Sequence, residues 1–326
     1  MQPVLPQIEM VICALVGRLF DVKNKNKDDT LCHLLEKKPI RLTQILLVLA
    51  NVHQSFVRGV FMTKRSLFYM DPELFGKQEV PRWDLKVKAT EKLRIFGDLQ
   101  LETNKGQMIN FSDCEALNDL EMIPTQLECA KLSCGARFIL VVEKDTIFQK
   151  LMTEDFYNSF KPCLMVTAKG YPDLRTRQLL YKLSVQFPKV PILGLFDADP
   201  HGLGVYCTYK YGTQNPAMLN EAGKPVCANT ITLLGLLPSE LLSLQIRREA
   251  GFIQLSTSDI TLLSSIQRRV YFNNDEQLMM QTNVLLEMRL KAEIEILNTL
   301  GPQYLCQEYL PKKLRVIGVQ KNNKDA

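Results

Sequence analysis

Three carboxylates stand at the ends of apolar runs. Glu143 follows Phe138-Ile139-Leu140-Val141-Val142, and Asp197 and Asp199 follow Val190-Pro191-Ile192-Leu193-Gly194-Leu195-Phe196. Strand residues two apart point to one face, so the Asp-x-Asp pair presents both carboxylates together. Glu143 joins them if the two strands are neighbours. Like charges gathered this way need a cation. Hard oxygen donors suit Mg2+, with Mn2+ as the alternative, held partly through water and substrate phosphate. Such an ion stabilises the charge of a phosphoryl transition state. The plainer reading is a turn that Asp197 and Asp199 open with Pro200 and Gly202. The order strand, Glu, strand, Asp-x-Asp favours the ion site.

Tyr69 is the second candidate, one of ten tyrosines. It lies in the stretch KRSLFYM, after Lys64, Arg65 and Phe68. Nearby cations favour the phenolate and hold a phosphate for attack. A core tyrosine is the alternative. Lys169, Arg175 and Arg177 lie after an apolar run, in AKGYPDLRTR. The two arginines are candidates for backbone or phosphate contact, with a solvated helix face as the other reading. His201, beside the acidic pair, touches phosphate or metal shell, or only starts a helix.

These residues need elements to hold them. RLTQILLVLANVHQSF carries Leu42, Ile45, Leu46, Leu49 and Val52 at helical spacing. Thr63 caps a short second helix that Asp71-Pro72 ends. Two such helices suit a helix-turn-helix or winged-helix module. KLRIFGDLQLE and GQMINF read as a small hairpin or wing. After Ala136 the pattern becomes strand, helix, strand, helix, strand: 138–142, DTIFQKLMTEDF, 163–167, DLRTRQLLYKLSVQF, 190–196. A further strand is expected in 231–237 and a helical tail over 277–300. Fully apolar strands alternating with helices predict a parallel sheet covered on both faces. In such sheets functional groups sit at the carboxyl ends of strands, where Glu143, Gly170 and the aspartate pair fall.

Composition narrows the classes. The 326 residues suffice for two domains, and a net charge of +5 permits a nucleic-acid partner without requiring one. The nine cysteines contain no CxxC pair, which argues against a disulfide framework or zinc site. Neither a signal peptide nor a membrane-spanning run is evident, so no membrane partner is expected. KNKNK (23–27) and Lys312-Lys313 are nuclear-import candidates or solvated loops.

The Glu…Asp-x-Asp layout resembles the Toprim domain of topoisomerases, primases and related nucleases. KRSLFYMDPELFG (64–76) resembles the active-site segment of the meiotic break-forming transesterases, the sporulation-eleven family. FILVVEKDTIFQKL (138–151), AKGYPDLRTR (168–177), FDADPHGLGVYCTYKYG (196–212), LGLLPSEL (234–241), KAEIEIL (291–297) and YLPKKLR (309–315) follow in the family's order. The topoisomerase VI A-type protein shares the layout more distantly. The resemblance implies an α/β chain of two domains. Residues 1–125 would be a winged-helix (CAP-like) DNA-binding domain carrying the nucleophile. Residues 126–326 would be a Toprim metal-binding domain with C-terminal helices.

The resemblance also implies an activity, that of a Mg2+-dependent type IIB topoisomerase-like transesterase that starts meiotic recombination in the nucleus. Tyr69 would attack double-stranded DNA, leaving a 5′-phosphotyrosyl link, with Arg65 and Lys64 on the phosphate. Glu143, Asp197 and Asp199 would hold the ion, and Lys169, Arg175 and Arg177 would contact DNA. A homodimer is implied, the tyrosine of one protomer serving the metal site of the other. The implied partners are meiotic accessory proteins and a topoisomerase VI B-like subunit. Ser66, Ala168 and Gly204 depart from the family's usual residues, and the segment 77–101 is shorter than in relatives. That shortening supports one alternative, a non-cleaving DNA-binding or assembly paralogue; a true topoisomerase VI A-type protein is the other.

Overall fold

The computed structural model describes residues 9, 39–58, 74, 92–103, 106, 108–112, 131–213, 226–244, 246 and 251–322. The chain divides into two compact units, Met1–Glu91 and Lys92–Ala326. In the first, helix α1 (Pro39–Arg58) is the expected amphipathic helix, with Leu42, Ile45, Val48 and Leu49 buried. The short second helix of the winged-helix expectation, with Lys64, Arg65 and Tyr69, lies outside the described residues.

The second unit is built on a five-stranded sheet. Its strands are β1 (Arg94–Gly97), β5 (Ile139–Val142), β6 (Leu164–Thr167), β7 (Ile192–Leu195) and β8 (Thr232–Gly235). They lie in the order β1-β6-β5-β7-β8. The last four run parallel, and β1 pairs antiparallel to β6 at one edge. Every residue of β5, β6 and β7 is buried, as continuous apolar runs demand when both faces are covered.

Alternate residues feed two cores. Ile139, Val141, Leu164, Val166 and Ile192 face one, packed with Leu179 and Leu183 of α4 (Leu174–Gln186) and Leu203 and Tyr206 of α5 (Pro200–Tyr211). Helices α6 (Thr257–Gln267) and α7 (Glu276–Met288) complete that layer. Leu140, Val142, Met165 and Leu195 face the other, against α2 (Asp145–Thr153), α3 (Phe156–Phe160) and α8 (Leu310–Val316). Each fully buried side chain of this size contributes about 1.5–3 kcal/mol.

A three-stranded antiparallel sheet adjoins this core, made of β2 (Leu99–Glu102), β3 (Met108–Asn110) and β4 (Lys131–Cys134) with β2 in the middle. The hairpin read from GDLQLE and GQMINF is β2–β3. KLRIFG differs: it forms β1 on the parallel sheet's edge. Gly97 is the pivot between the two sheets. Its φ is +127°, and a Cβ there would lie 2.1 Å from the Cys163 carbonyl oxygen. The next residue anchors the corner, as Asp98 Oδ2 accepts from Tyr157 Oη and from the Cys163 N–H, both at 2.9 Å. Residues 94–110, grouped by sequence with the first domain, therefore pack in the second unit.

The helical tail expected over 277–300 is interrupted. Helix α7 stops at Met288 with Arg289 left-handed (φ 57°), and Leu290–Lys291 forms β10, paired to β9 (Ile253–Gln254). A 3-10 helix follows at Ile294–Thr299. KAEIE alternates with period two, which suits an extended segment rather than a helix.

Candidate functional site

Parallel pairing of β5 with β7 brings the acidic residues together. Val142 is level with Leu195, and the Glu143 N–H donates to the Leu195 carbonyl at 3.0 Å. The Glu143 side chain then reaches across, Oε2 accepting from the Asp197 N–H at 2.9 Å. Asp197 Oδ1 accepts from the Ile294 N–H at 2.9 Å. Asp199 is the N-cap of α5, accepting from the Gly202 N–H at 2.6 Å. Pro200 at the first helical position has no N–H to lose there. Gly202 permits this tight return, because a Cβ there would lie 2.2 Å from the Asp197 carbonyl oxygen. The turn reading and the acidic-site reading thus describe the same residues.

One element of the site has no signal in the local sequence. Ala198 and Ala292 form an antiparallel bridge, which lays Lys291–Glu295 beside the aspartate pair. Lys144, next to Glu143, reaches into the gap. Its ammonium lies 3.0 Å from Asp197 Oδ2, 3.0 Å from Glu293 Oε2 and 2.7 Å from Glu295 Oε2. KAEIEIL stands out as a block, but its contact with Lys144 joins residues 151 positions apart.

The electrostatics are strained toward protonation. Burial pushes the Glu143 carboxyl up to about 8, reinforced by repulsion from Asp197 and Asp199. Burial raises Asp197 to about 6, with the Ile294 N–H and Lys144 pulling it back. Asp199 is also raised, by burial first, against the Gly202 N–H and the positive field of His201. For Lys144, burial opposes the charge, but Glu295, Asp197 and Glu293 outweigh it and hold the ammonium above the usual lysine range.

This donor set fits a hard divalent cation in chemistry: three carboxylates, excess negative charge and one nearby ammonium. The side chains are not closed around a point. Among the described residues, no group of three or more His, Cys, Asp or Glu is placed to hold a metal ion. Each carboxylate instead turns one oxygen to a backbone N–H.

The basic candidates separate. Lys169 is exposed at the carboxyl end of β6, 3.6 Å from Asp145 Oδ2, with φ of 54° before Gly170. Arg175 is half-buried on the first turn of α4. Arg177 is fully buried, and its guanidinium donates to the Val226 carbonyl at 3.0 Å. Burial lowers its pKa. The DNA contact expected for Arg177 is therefore corrected: it is an internal support. Asp173 likewise caps α4 through the Thr176 N–H at 2.8 Å. His201 is exposed beside Asp199. Tyr171, on the same strand-end loop as Lys169, places its hydroxyl where a Gly204 side chain would lie.

Among the described residues, Cys134, Cys163, Cys207, Cys227 and Cys306 are free thiols. Among the described residues, no helix is long and apolar enough to cross a membrane.

The family model for the Toprim domain of the topoisomerase 6 A-type and Spo11 proteins matches residues 138–314. A second, described as "Type IIB DNA topoisomerase", matches residues 40–83. The chain is 36% identical over 289 residues to mouse "Meiotic recombination protein SPO11", covering 84% of this chain and 71% of the relative. It is 33% identical to the human protein of that name, covering 86% and 73%. The rice A3 form of DNA topoisomerase 6 is 34% identical, covering 82% of this chain and 62% of the relative.

Proposed function

This chain belongs to the family of topoisomerase 6 A-type and Spo11 proteins, and from that premise we propose that it makes meiotic double-strand breaks by tyrosine transesterification. The observation that supports this most is the convergence of Glu143 with Asp197 at the carboxyl ends of neighbouring strands. Tyr69 Oη would attack a DNA phosphorus. The bond to the 3′ oxygen breaks, a 5′-phosphotyrosyl ester forms, and the phenol proton leaves on the 3′-hydroxyl. Arg65 and Lys64 would steady the phosphate through charge-assisted bonds.

Glu143, Asp197 and Asp199 would hold Mg2+ or Mn2+, which supplies charge stabilisation at the phosphate when bound. Lys169 and Arg175 would contact the DNA backbone, an interaction that positions rather than reads sequence. Because each strand needs its own nucleophile, two copies of the chain act together in the nucleus, the tyrosine of one beside the carboxylates of the other. Accessory proteins and a B-type subunit would complete the machine. The 34% identity to a topoisomerase 6 protein favours a second reading, in which the break is also resealed with a B-type ATPase.

Mixed dimers test the proposal. Co-expressed Tyr69→Phe and Glu143→Gln chains leave one complete site per heterodimer. The expected product is a nick with a covalent adduct on one strand, with neither homodimer active. Double-strand breaks from either homodimer, or no adduct from any combination including wild type, would overturn it.

A further inference from the structure

Lys144 stands between Glu143 at the end of β5 and Asp145 at the start of α2, in extended backbone (φ −95°, ψ 136°). Its ammonium has three donors and meets three carboxylates. Asp197 is deeply buried, while the Glu293 and Glu295 side chains are 57% and 38% exposed. Asp197 uses its other oxygen to bind the Ile294 N–H, one residue beyond Glu293. The aspartate-pair segment and residues 290–299 are therefore stitched at three points: the Ala198–Ala292 bridge, the Ile294–Asp197 bond, and Lys144 bound to both sides.

We propose that Lys144 is a positioning residue that holds Asp197 in its ligand orientation while no divalent cation is present, then passes to Glu293 and Glu295 when one binds. This rests on the reading that Asp197 is a metal ligand. A cation on Asp197 repels the ammonium at close range, where charge interactions are strong. Glu293 and Glu295 are the acceptors it already touches. Lys144 thus keeps two of its three partners, and no buried charge is stranded at the cost of its desolvation. The KAEIEIL segment is the receiver of the displaced ammonium.

The test uses the full-length protein, hydrogen exchange at the Ala292 and Ile294 amides, and Mn2+ binding followed by electron paramagnetic resonance. Lys144→Met keeps the stem and removes the charge. Without metal, its two amides should exchange about tenfold faster than wild type, as expected for loss of one charge-assisted bond. Saturating Mn2+ should restore wild-type protection, and Mn2+ should bind at least as tightly as to wild type because its competitor is gone. Lys144→Arg should resemble wild type throughout, which separates positioning from a general folding defect. Unchanged exchange in Lys144→Met would overturn the positioning role. Faster exchange that Mn2+ binds without repairing would overturn the handover. The metal reading is judged separately on Asp197→Asn: equal Mn2+ binding by that variant and wild type would remove Asp197 from the ligands, and the handover with it.

Discussion

Two buried aspartates in the same unit have opposite fates. Asp275 is 5% exposed and accepts from Tyr211 Oη at 2.6 Å, Tyr206 Oη at 3.0 Å, Lys210 Nζ at 3.0 Å and the Leu278 N–H at 3.0 Å. Burial works against its charge, but those donors prevail and hold the carboxyl below the usual aspartate range. Burial pushes Asp197, similarly enclosed, up to about 6; the Ile294 N–H and Lys144 pull it back only in part, and Asp199 adds repulsion. The Tyr206, Lys210 and Tyr211 network around Asp275 ties α5 to α7. The strand-end site is short of positive charge. Carboxyls raised by burial at the ends of neighbouring strands, in a unit that holds another buried aspartate low, mark the strand-end cluster as the functional-site candidate.

The largest test exchanges the two roles. Asp197→Asn should lower DNA cleavage by about 10²–10³-fold, the scale of losing a transition-state charge stabiliser. It should change unfolding free energy by less than about 1 kcal/mol, since it also relieves repulsion. Asp275→Asn should do the reverse, losing about 3 kcal/mol by leaving Lys210 poorly compensated, with cleavage per folded molecule retained. Urea melts beside a cleavage assay decide this. Equal destabilisation by both variants would erase the contrast.

Gly202→Ala should cost about 1–3 kcal/mol through overpacking against the Asp197 carbonyl. It should also weaken Mn2+ binding, as read by titration. A variant as stable as wild type would show that the α5 turn has room to shift.

The pH dependence has opposite signs at the two aspartates. Glu143 is raised from 4.5 to about 8 and Asp197 from 3.8 to about 6, so the folded chain binds more protons than the unfolded one. Their contribution is present below the unfolded values and is lost as pH rises through the folded ones. Metal-free thermal stability should therefore fall between about pH 5 and 8, and Mn2+ should abolish the fall. Asp275 is lowered from 3.8, so its contribution is present above that value and lost only as pH drops below it. Glu143→Gln should flatten the neutral limb and leave the acid limb. A neutral limb unchanged in that variant would refute the assignment.

The smallest effect belongs to the rim. Lys169→Ala should reduce the salt dependence of DNA binding by about one unit of slope. Stability should move by less than about 0.5 kcal/mol. An unchanged slope would place Lys169 off the DNA.

Much of this unit is legible in the chain. The apolar runs of β5 to β8 identify a doubly covered parallel sheet, and that topology alone sends Glu143 and Asp197 to one edge. What is hidden has physical causes. KLRIFGDLQLE reads as one alternating stretch interrupted only at Ile95-Phe96-Gly97, and Gly97 divides it between two sheets. Arg177 looks like a helix-surface charge, because nothing local announces that its guanidinium meets a carbonyl across the fold. Lys144 reads as an ordinary strand-end lysine until Glu293 and Glu295 are brought beside it. Tyr69 stands out by its neighbours and the family resemblance, and it lies outside the described residues.

The mechanism turns on that tyrosine. The decisive measurement recovers the protein from meiotic cells under denaturing conditions and end-labels any covalently attached DNA, with wild type and Tyr69→Phe side by side. Short labelled oligonucleotides are expected on wild type and none on Tyr69→Phe. Equal label on both, or none on either while breaks are forming and the protein is present, would contradict transesterification by Tyr69.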